Sequence, residues 1–406
     1  MDSMITAAAS ALAAGDPFGA LNRVALRDDA AALALRGVAM AQLGDLERAR
    51  VLLRRAAKAF GPRHAVARAR CVVAEAEIAL VTRDLGWPVK SLESAQATLA
   101  RHGDTVNAAH ARHLAARRLL LTVRVDDAER AIADLDVSLF PPASRAAIEL
   151  VVAGIALRRL RTRPARAALV HAAIAANAAG IPSLVAEVER ASRVLETTAA
   201  RLIRGHTQTP LLLEDVEAVV ASDALIIDAC RNAVRQSGAS TSLATRPVLF
   251  ALARTLGEAW PDDVPRDVLL AHAFGARYID DSHRARLRVE IGRLRVALRA
   301  VANISATKRG FALVPNHATD VVVLARPIDE EHASILALLD DGEAWSTSAL
   351  ALALGASQRT LQRALDELVR QGKVQPFGRG RARRWIMPPV SGFTTALLLP
   401  AALPID

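Results

Sequence analysis

Cysteine is almost absent from this sequence: Cys71 and Cys230 are the only two in 406 residues, and they lie far apart. That excludes a disulfide framework and a cysteine-based zinc set, and it fits a reducing compartment. Both cysteines sit in apolar stretches and read as small core residues. Aromatic residues make up only 3%. Much of the 52% hydrophobic content is alanine, which favours helices packed closely through small side chains. There is no P-loop, no H-E-x-x-H, no G-x-S-x-G and no clustered Cys/His set, so no catalytic residue, metal or cofactor is expected. His110 and His113 lie three apart on a predicted helix, without carboxylate or cysteine company, and read as surface or packing residues. The start of the chain has no basic stretch ahead of an apolar one, so no secretory signal is expected. The alanine-rich run near 165–190 is broken by Arg166, His171, Asn177, Pro182 and Glu187, and the apolar tail at 389–404 is short and interrupted by prolines. No membrane span is expected, and a cytoplasmic location is.

Charge is present in one sign more than the other, with a net +10. The excess is spread thinly except at 284–309 and 379–384. In the first cluster, Arg284, Arg286, Arg288, Arg293, Arg295, Arg299, Lys308 and Arg309 are opposed past Asp281 only by Glu290. Leu287, Ile291, Leu294 and Leu298 recur at spacings of four, three and four, so they line one face of a helix and leave the arginines to the other. A tight turn with Lys308 and Arg309 follows, then a short apolar strand at Phe311–Val314. A helix with one face in a core and a cationic face outward, followed by a basic hairpin, suits a reader of double-stranded DNA. The plain alternative is a solvated basic helix.

Upstream, residues 1 to about 200 read as helical throughout, with Gly and Pro mainly at joints such as Gly61-Pro62 and Pro141-Pro142. Leu33 to Asp45, followed by Ala49 and ending at Pro62, resembles a tetratricopeptide repeat, where a small residue lets two helices approach and Gly-Asp makes the turn. Looser echoes occur at Asp127/Ala131 and Pro164/Ala168. The spacing of around 40 residues is longer than the roughly 34 of that repeat. An ordinary helical bundle is the alternative.

From Arg204 the texture changes. Leu211-Leu212-Leu213, Val219-Val220, Ala224 to Ile227 and Ser242-Leu243, with a turn at Ser237-Gly238, read as a small β-sheet. Helices are predicted at Val248 to Trp260 and Pro265 to Ala273, then a short loop at 275–277 and the arginine helix from about Asp281. Val289-Glu290-Ile291-Gly292-Arg293-Leu294-Arg295 and Thr307-Lys308-Arg309-Gly310-Phe311 complete this order, which resembles the OmpR/PhoB-type winged-helix DNA-binding domain over about 210–316. The resemblance implies that Arg286, Arg288, Glu290 and Arg293 face the major groove. It implies that Arg295 and Thr307 approach phosphate, and that Lys308 and Arg309 approach the minor groove or backbone. Ser282, His283 and Arg284, at the helix start, complete the expected contact set; His283 either touches a phosphate or merely starts the helix. Two departures stand out. The loop between the second and third helices, which touches polymerase in that family, is short. No receiver domain precedes, since 1–200 lacks alternating strands, so Asp28-Asp29 and Asp126-Asp127 read as helix-end acids and phosphorelay control is not expected.

Residues 329–388 repeat the logic. A helix is predicted at Glu330 to Leu339, a short one capped near Ser346-Thr347-Ser348, and a third from Gln358 to Gln371 capped by Ser357. Leu361, Ala364, Leu365 and Leu368 form its apolar side, leaving Gln358, Arg359, Thr360, Gln362 and Arg363 at the exposed end. A hairpin with Arg379 and Arg381 at its tip and Arg383 on its flank follows. This resembles the broad winged helix-turn-helix class, which implies DNA contact by those residues.

The expectation is thus a mainly α protein with a helical repeat-like region at 1–203 and two winged-helix (α+β) regions at 204–320 and 321–406. Its expected role is a bacterial-type transcription regulator, a homodimer binding double-stranded DNA, with the helical region oligomerising or sensing a protein partner or signal. The alternative is a protein–protein scaffold.

Overall fold

The structure, a computed structural model, describes residues 2–122, 124–135, 137–205, 207–274, 281–327, 332–339, 344–371, 373–378, 380 and 383–386. It is mainly helical, 63% helix, with some small sheets. Contacts divide it into two compact units. One comprises Met1–Arg159, Arg163–Ser192 and Glu331–Asp406; the other comprises Leu160–Thr162 and Arg193–Glu330.

Among the described residues the first part of the chain carries eleven α-helices: α1 (Ser3–Ala13), α2 (Pro17–Val24), α3 (Ala30–Gln42), α4 (Leu46–Phe60), α5 (Ala65–Val81), α6 (Val89–Arg101), α7 (Thr105–Leu121), α8 (Val125–Ile132), α9 (Pro142–Arg158), α10 (Thr162–Ala179) and α11 (Pro182–Arg193). Aspartate sets several starts. Asp2, Asp16, Asp29, Asp45 and Asp104 each accept a hydrogen bond from a first-turn N–H of the helix that follows. Such a cap is worth about 1 kcal/mol. Asp126 and Asp127 lie in the first turn of α8. Small residues set the approach of α3 to α4: a Cβ on Gly37 would stand 2.8 Å from Leu53 Cγ and 3.3 Å from the Ala49 carbonyl oxygen. Cys71 is buried in the core of α3–α5, and burial, helped by nearby Glu75, pushes its thiol up to about 12.

The second unit is built on a six-stranded sheet. Its strands are β1 (Ala200–Arg204), β2 (Thr207–Leu211), β3 (Leu225–Asp228), β4 (Ala233–Gln236), β5 (Ala239–Ser242) and a late strand at Val321–Ala325. The late strand lies centrally, antiparallel to β1 and parallel to β3, and all five of its residues are buried. Between β2 and β3 runs α12 (Leu213–Val220). Leu213 and Val219-Val220 are therefore helical and not the strand pieces expected from the sequence. Asp215 accepts a bond from the Leu212 N–H and fixes the helix start, and Val216 turns into the core. β4 and β5 form a hairpin about Ser237-Gly238, both at positive φ. Cys230 is exposed, contrary to the core position expected for it.

After the sheet come α13 (Pro247–Glu258), β6 (Val264–Pro265), α14 (Arg266–Phe274), α15 (Asp281–Leu298), β7 (Ala302–Ala306), β8 (Gly310–Pro315) and β9 (Val321–Ala325), the late strand already described. Pro265 lies in β6, not in the first turn of α14, because β6 pairs with β8 through Pro265↔Gly310 and Val264↔Phe311. That pairing demands glycine. A Cβ on Gly310 would stand 1.8 Å from the Val264 carbonyl oxygen. Gly310→Ala is expected to destabilise this unit by about 1–3 kcal/mol, in the range of overpacked sites, whereas Gly292→Ala, which meets nothing within 4 Å, should be neutral or better. Urea denaturation of both variants checks this, and equal midpoints would overturn it.

The last described segment contains α16 (Ala333–Leu339), β10 (Trp345–Ser346), α17 (Thr347–Leu354), α18 (Gln358–Arg370), β11 (Gln375–Phe377) and β12 (Arg384–Ile386), with the strands in order β10-β12-β11. Its buried residues, including Ile335, Trp345, Leu365 and Trp385, form one core cluster with residues of α5–α7. The Arg83 guanidinium lies 5.4 Å from the Trp345 ring centre.

Candidate nucleic-acid interface

The arginine helix α15 is held by four side chains. Leu287, Ile291, Leu294 and Leu298 are buried in a core shared with Leu249, Leu252 and Leu256 of α13, Leu269 and Leu270 of α14, and Phe311 and Leu313 of β8. This fixes the helix in rotation as well as place. Ser282, Arg284, Arg286, Arg288, Arg293 and Arg299 are exposed; His283, Glu290 and Arg295 are half-buried.

The arginines are not equivalent. Arg286 stacks on Phe274, with its guanidinium 4.5 Å from the ring centre. Arg293 donates to Glu290 at 2.8 Å. Arg295 donates from Nε to the Ile304 carbonyl at 2.7 Å and lies over Phe311. Arg295 is thereby committed to holding β7 against α15. Arg288 and Arg299 have no charged or hydrogen-bonding side-chain partner among the described residues, which leaves their guanidinium groups free for an anion.

The hairpin between β7 and β8 carries Lys308 and Arg309 at its tip, both exposed. It is closed by the Thr307 N–H donating to the Gly310 carbonyl at 3.0 Å, and by the Gly310 N–H donating to Thr307 Oγ1 at 2.8 Å. The Thr307 hydroxyl also donates to Asp263. Arg266, which sequence reasoning did not single out, donates to the Lys308 and Thr307 carbonyls, both at 3.2 Å, and lies over Phe311. Arg309 stands 3.6 Å from the Asp263 carboxylate. The tip is therefore a rigid cationic corner whose backbone is tied to β6 and α14.

No family model, curated protein or solved structure matches this chain.

The second expected set lies on α18. Ser357 caps it, accepting from the Thr360 N–H at 3.1 Å, after a left-handed turn at Gly355. Leu361, Ala364, Leu365 and Leu368 are buried, and Gln358, Arg359, Thr360 and Arg363 are exposed; Gln362 is half-buried and donates to Asp366 at 2.9 Å. Arg359 and Arg363 have no side-chain partner among the described residues. Arg383 lies 4.3 Å above the Trp385 ring. Arg379 and Arg381 lie outside the described residues, as do the loop at 275–280 and the tail at 389–404. No group of three or more His, Cys, Asp or Glu that could hold a metal occurs among the described residues, and no helix there is long and apolar enough to cross a membrane.

Proposed function

We propose that this chain is a sequence-specific regulator of transcription that binds double-stranded DNA through two winged-helix modules. The observation that carries the reading is α15: a helix locked into a core by Leu287, Ile291, Leu294 and Leu298, presenting Arg284, Arg286, Arg288, Arg293 and Arg299, and followed by a pinned hairpin with Lys308 and Arg309 at its tip. Backbone phosphates would supply affinity through the cations, and α15 side chains in the major groove would supply sequence preference. The capped, exposed end of α18 supports a second reading helix with Gln358, Arg359, Thr360 and Arg363 toward bases. The helices α1–α11, tetratricopeptide-like in their short-turned pairs, would bring a second copy of the chain or a protein partner.

Selection of bound sequences from a random duplex pool by the full chain, then titration of the winner at several salt concentrations, tests this. An enriched motif with tight, salt-sensitive binding is expected. Arg288→Ala should then weaken the selected site by about 1–3 kcal/mol if this free guanidinium reads a base, with a smaller loss on unrelated duplex. No enrichment would sink the reading.

A protein-docking role has one observation in its favour. Val289 and Val296, on the side of α15 facing away from its core, are 54% and 68% exposed. If the chain scaffolds proteins instead, charge removal at Arg288 and Arg299 would leave every duplex titration unchanged.

A further inference from the structure

Beside α15 lies an open cavity of about 470 Å³, lined by Arg246, Pro247, Val248, Leu249, Glu290 and Arg293. Its charges are two guanidinium groups and one carboxylate. Glu290 and Arg293 neutralise each other across 2.8 Å, with the carboxylate side chain 13% exposed and the arginine 64%. The Arg246 side chain is exposed and has no partner among the described residues. The cavity wall thus carries an uncompensated charge of one positive unit, and that unit is Arg246. The remaining wall, Pro247 to Leu249, is largely apolar.

The geometry points to a phosphate seat in this cavity, with Arg246 as its principal ligand and Arg293 as its second. The inference rests on the DNA-binding reading of α15 and adds to it a residue that the sequence did not mark. One positive unit matches the single negative charge of a phosphodiester. A phosphomonoester or inorganic phosphate carries about −1.5 to −2 near neutral pH and would be only partly compensated. The apolar wall suits the sugar that flanks a diester in a strand. Glu290 lines the seat and limits its charge, so the seat favours a strand held in one register over indiscriminate anion binding.

Two arms separate the sources of the phosphate. In the first, the full chain is titrated with its selected duplex across a salt series. Arg246→Gln should make the slope of log K against log salt shallower by about 0.9, the loss of one phosphate contact. Replacing the duplex phosphates one at a time by neutral methylphosphonate should reveal one position that weakens the parent protein several-fold and leaves Arg246→Gln unchanged. Glu290→Gln, which leaves both arginines unopposed, should tighten binding to unrelated duplex. In the second arm, inorganic phosphate alone is titrated into the full chain by calorimetry. Saturable binding that disappears in Arg246→Gln would assign the seat to free phosphate. Specific duplex binding with an unchanged slope in Arg246→Gln and no such methylphosphonate position would overturn the seat while leaving the α15 reading intact. Failure to bind any duplex would remove that reading, and the seat would then stand or fall on the inorganic phosphate titration.

Discussion

Trp385→Ala should unfold the segment built from α16 to β12 and loosen α5–α7 with it. Trp385 and Trp345 are the two largest fully buried side chains among the described residues, and they are paired across β10 and β12. The Trp385 indole N–H donates to Thr347 Oγ1 at 2.8 Å, which ties β12 to the first turn of α17, and Arg383 covers its ring. Replacing a buried tryptophan by alanine costs about 3–5 kcal/mol in lost transfer energy and residual cavity. Total stabilities are about 5–15 kcal/mol, so such a loss is large even for a well-folded unit. The cluster that contains Trp385 also contains Leu92, Leu99 and Leu114 of the helical array, so the damage should reach beyond the small sheet. Urea denaturation followed by far-UV circular dichroism measures the effect. Trp385→Phe, which keeps most of the volume but strands Thr347 Oγ1, should cost clearly less than alanine. A midpoint for Trp385→Ala close to that of the parent would refute this account of the core.

Much of this arrangement was legible in the sequence because it is local. The four-three-four spacing of Leu287, Ile291, Leu294 and Leu298 encodes the buried face of α15 directly, and all four are buried. Ser357 is legible as a cap for the same reason: cap and N–H lie three residues apart. The failures are of two kinds. Leu213 and Val219-Val220 read as strand pieces although Val216, Val219 and Val220 also fit a helical period, and Asp215, which accepts from the Leu212 N–H, is the cue to the helix start. The strand Val321–Ala325 was missed for a deeper reason. Its residues are all buried, so it shows no alternation, and its partners in β1 and β3 lie about a hundred residues upstream. The same limit applies to the site. Arg295 and Arg288 look alike in sequence, yet one is spent on the Ile304 carbonyl and the other is free, because the hairpin folds back over only one of them. Arg246 is invisible beside α15 until α13 is brought against it.

Acid should weaken the helical array through His113. Its ring is buried on α7, and Nε2 has no hydrogen-bond partner. Burial holds its pKa well below the ordinary histidine value near 6.5, helped by the charges of His110 and Arg117 and opposed by a hydrogen bond with the Ala147 backbone of α9. Glu77 of α5 is bonded to His110 Nε2 at 3.1 Å, and a proton on His113 would meet the repulsion of Arg117. The sign follows from proton binding. Below pH 6.5 the unfolded chain takes up a proton that the folded chain refuses, so stability is full above 6.5 and falls as pH drops, until the folded value is reached. A single proton of difference gives at most about 1.4 kcal/mol per pH unit. Urea midpoints measured from pH 7.5 to pH 5 should fall in the parent and fall less steeply in His113→Phe, whatever the absolute stability of that variant. Identical slopes in the parent and His113→Phe would assign the acid sensitivity to other groups and leave His113 as an inert filler between α7 and α9.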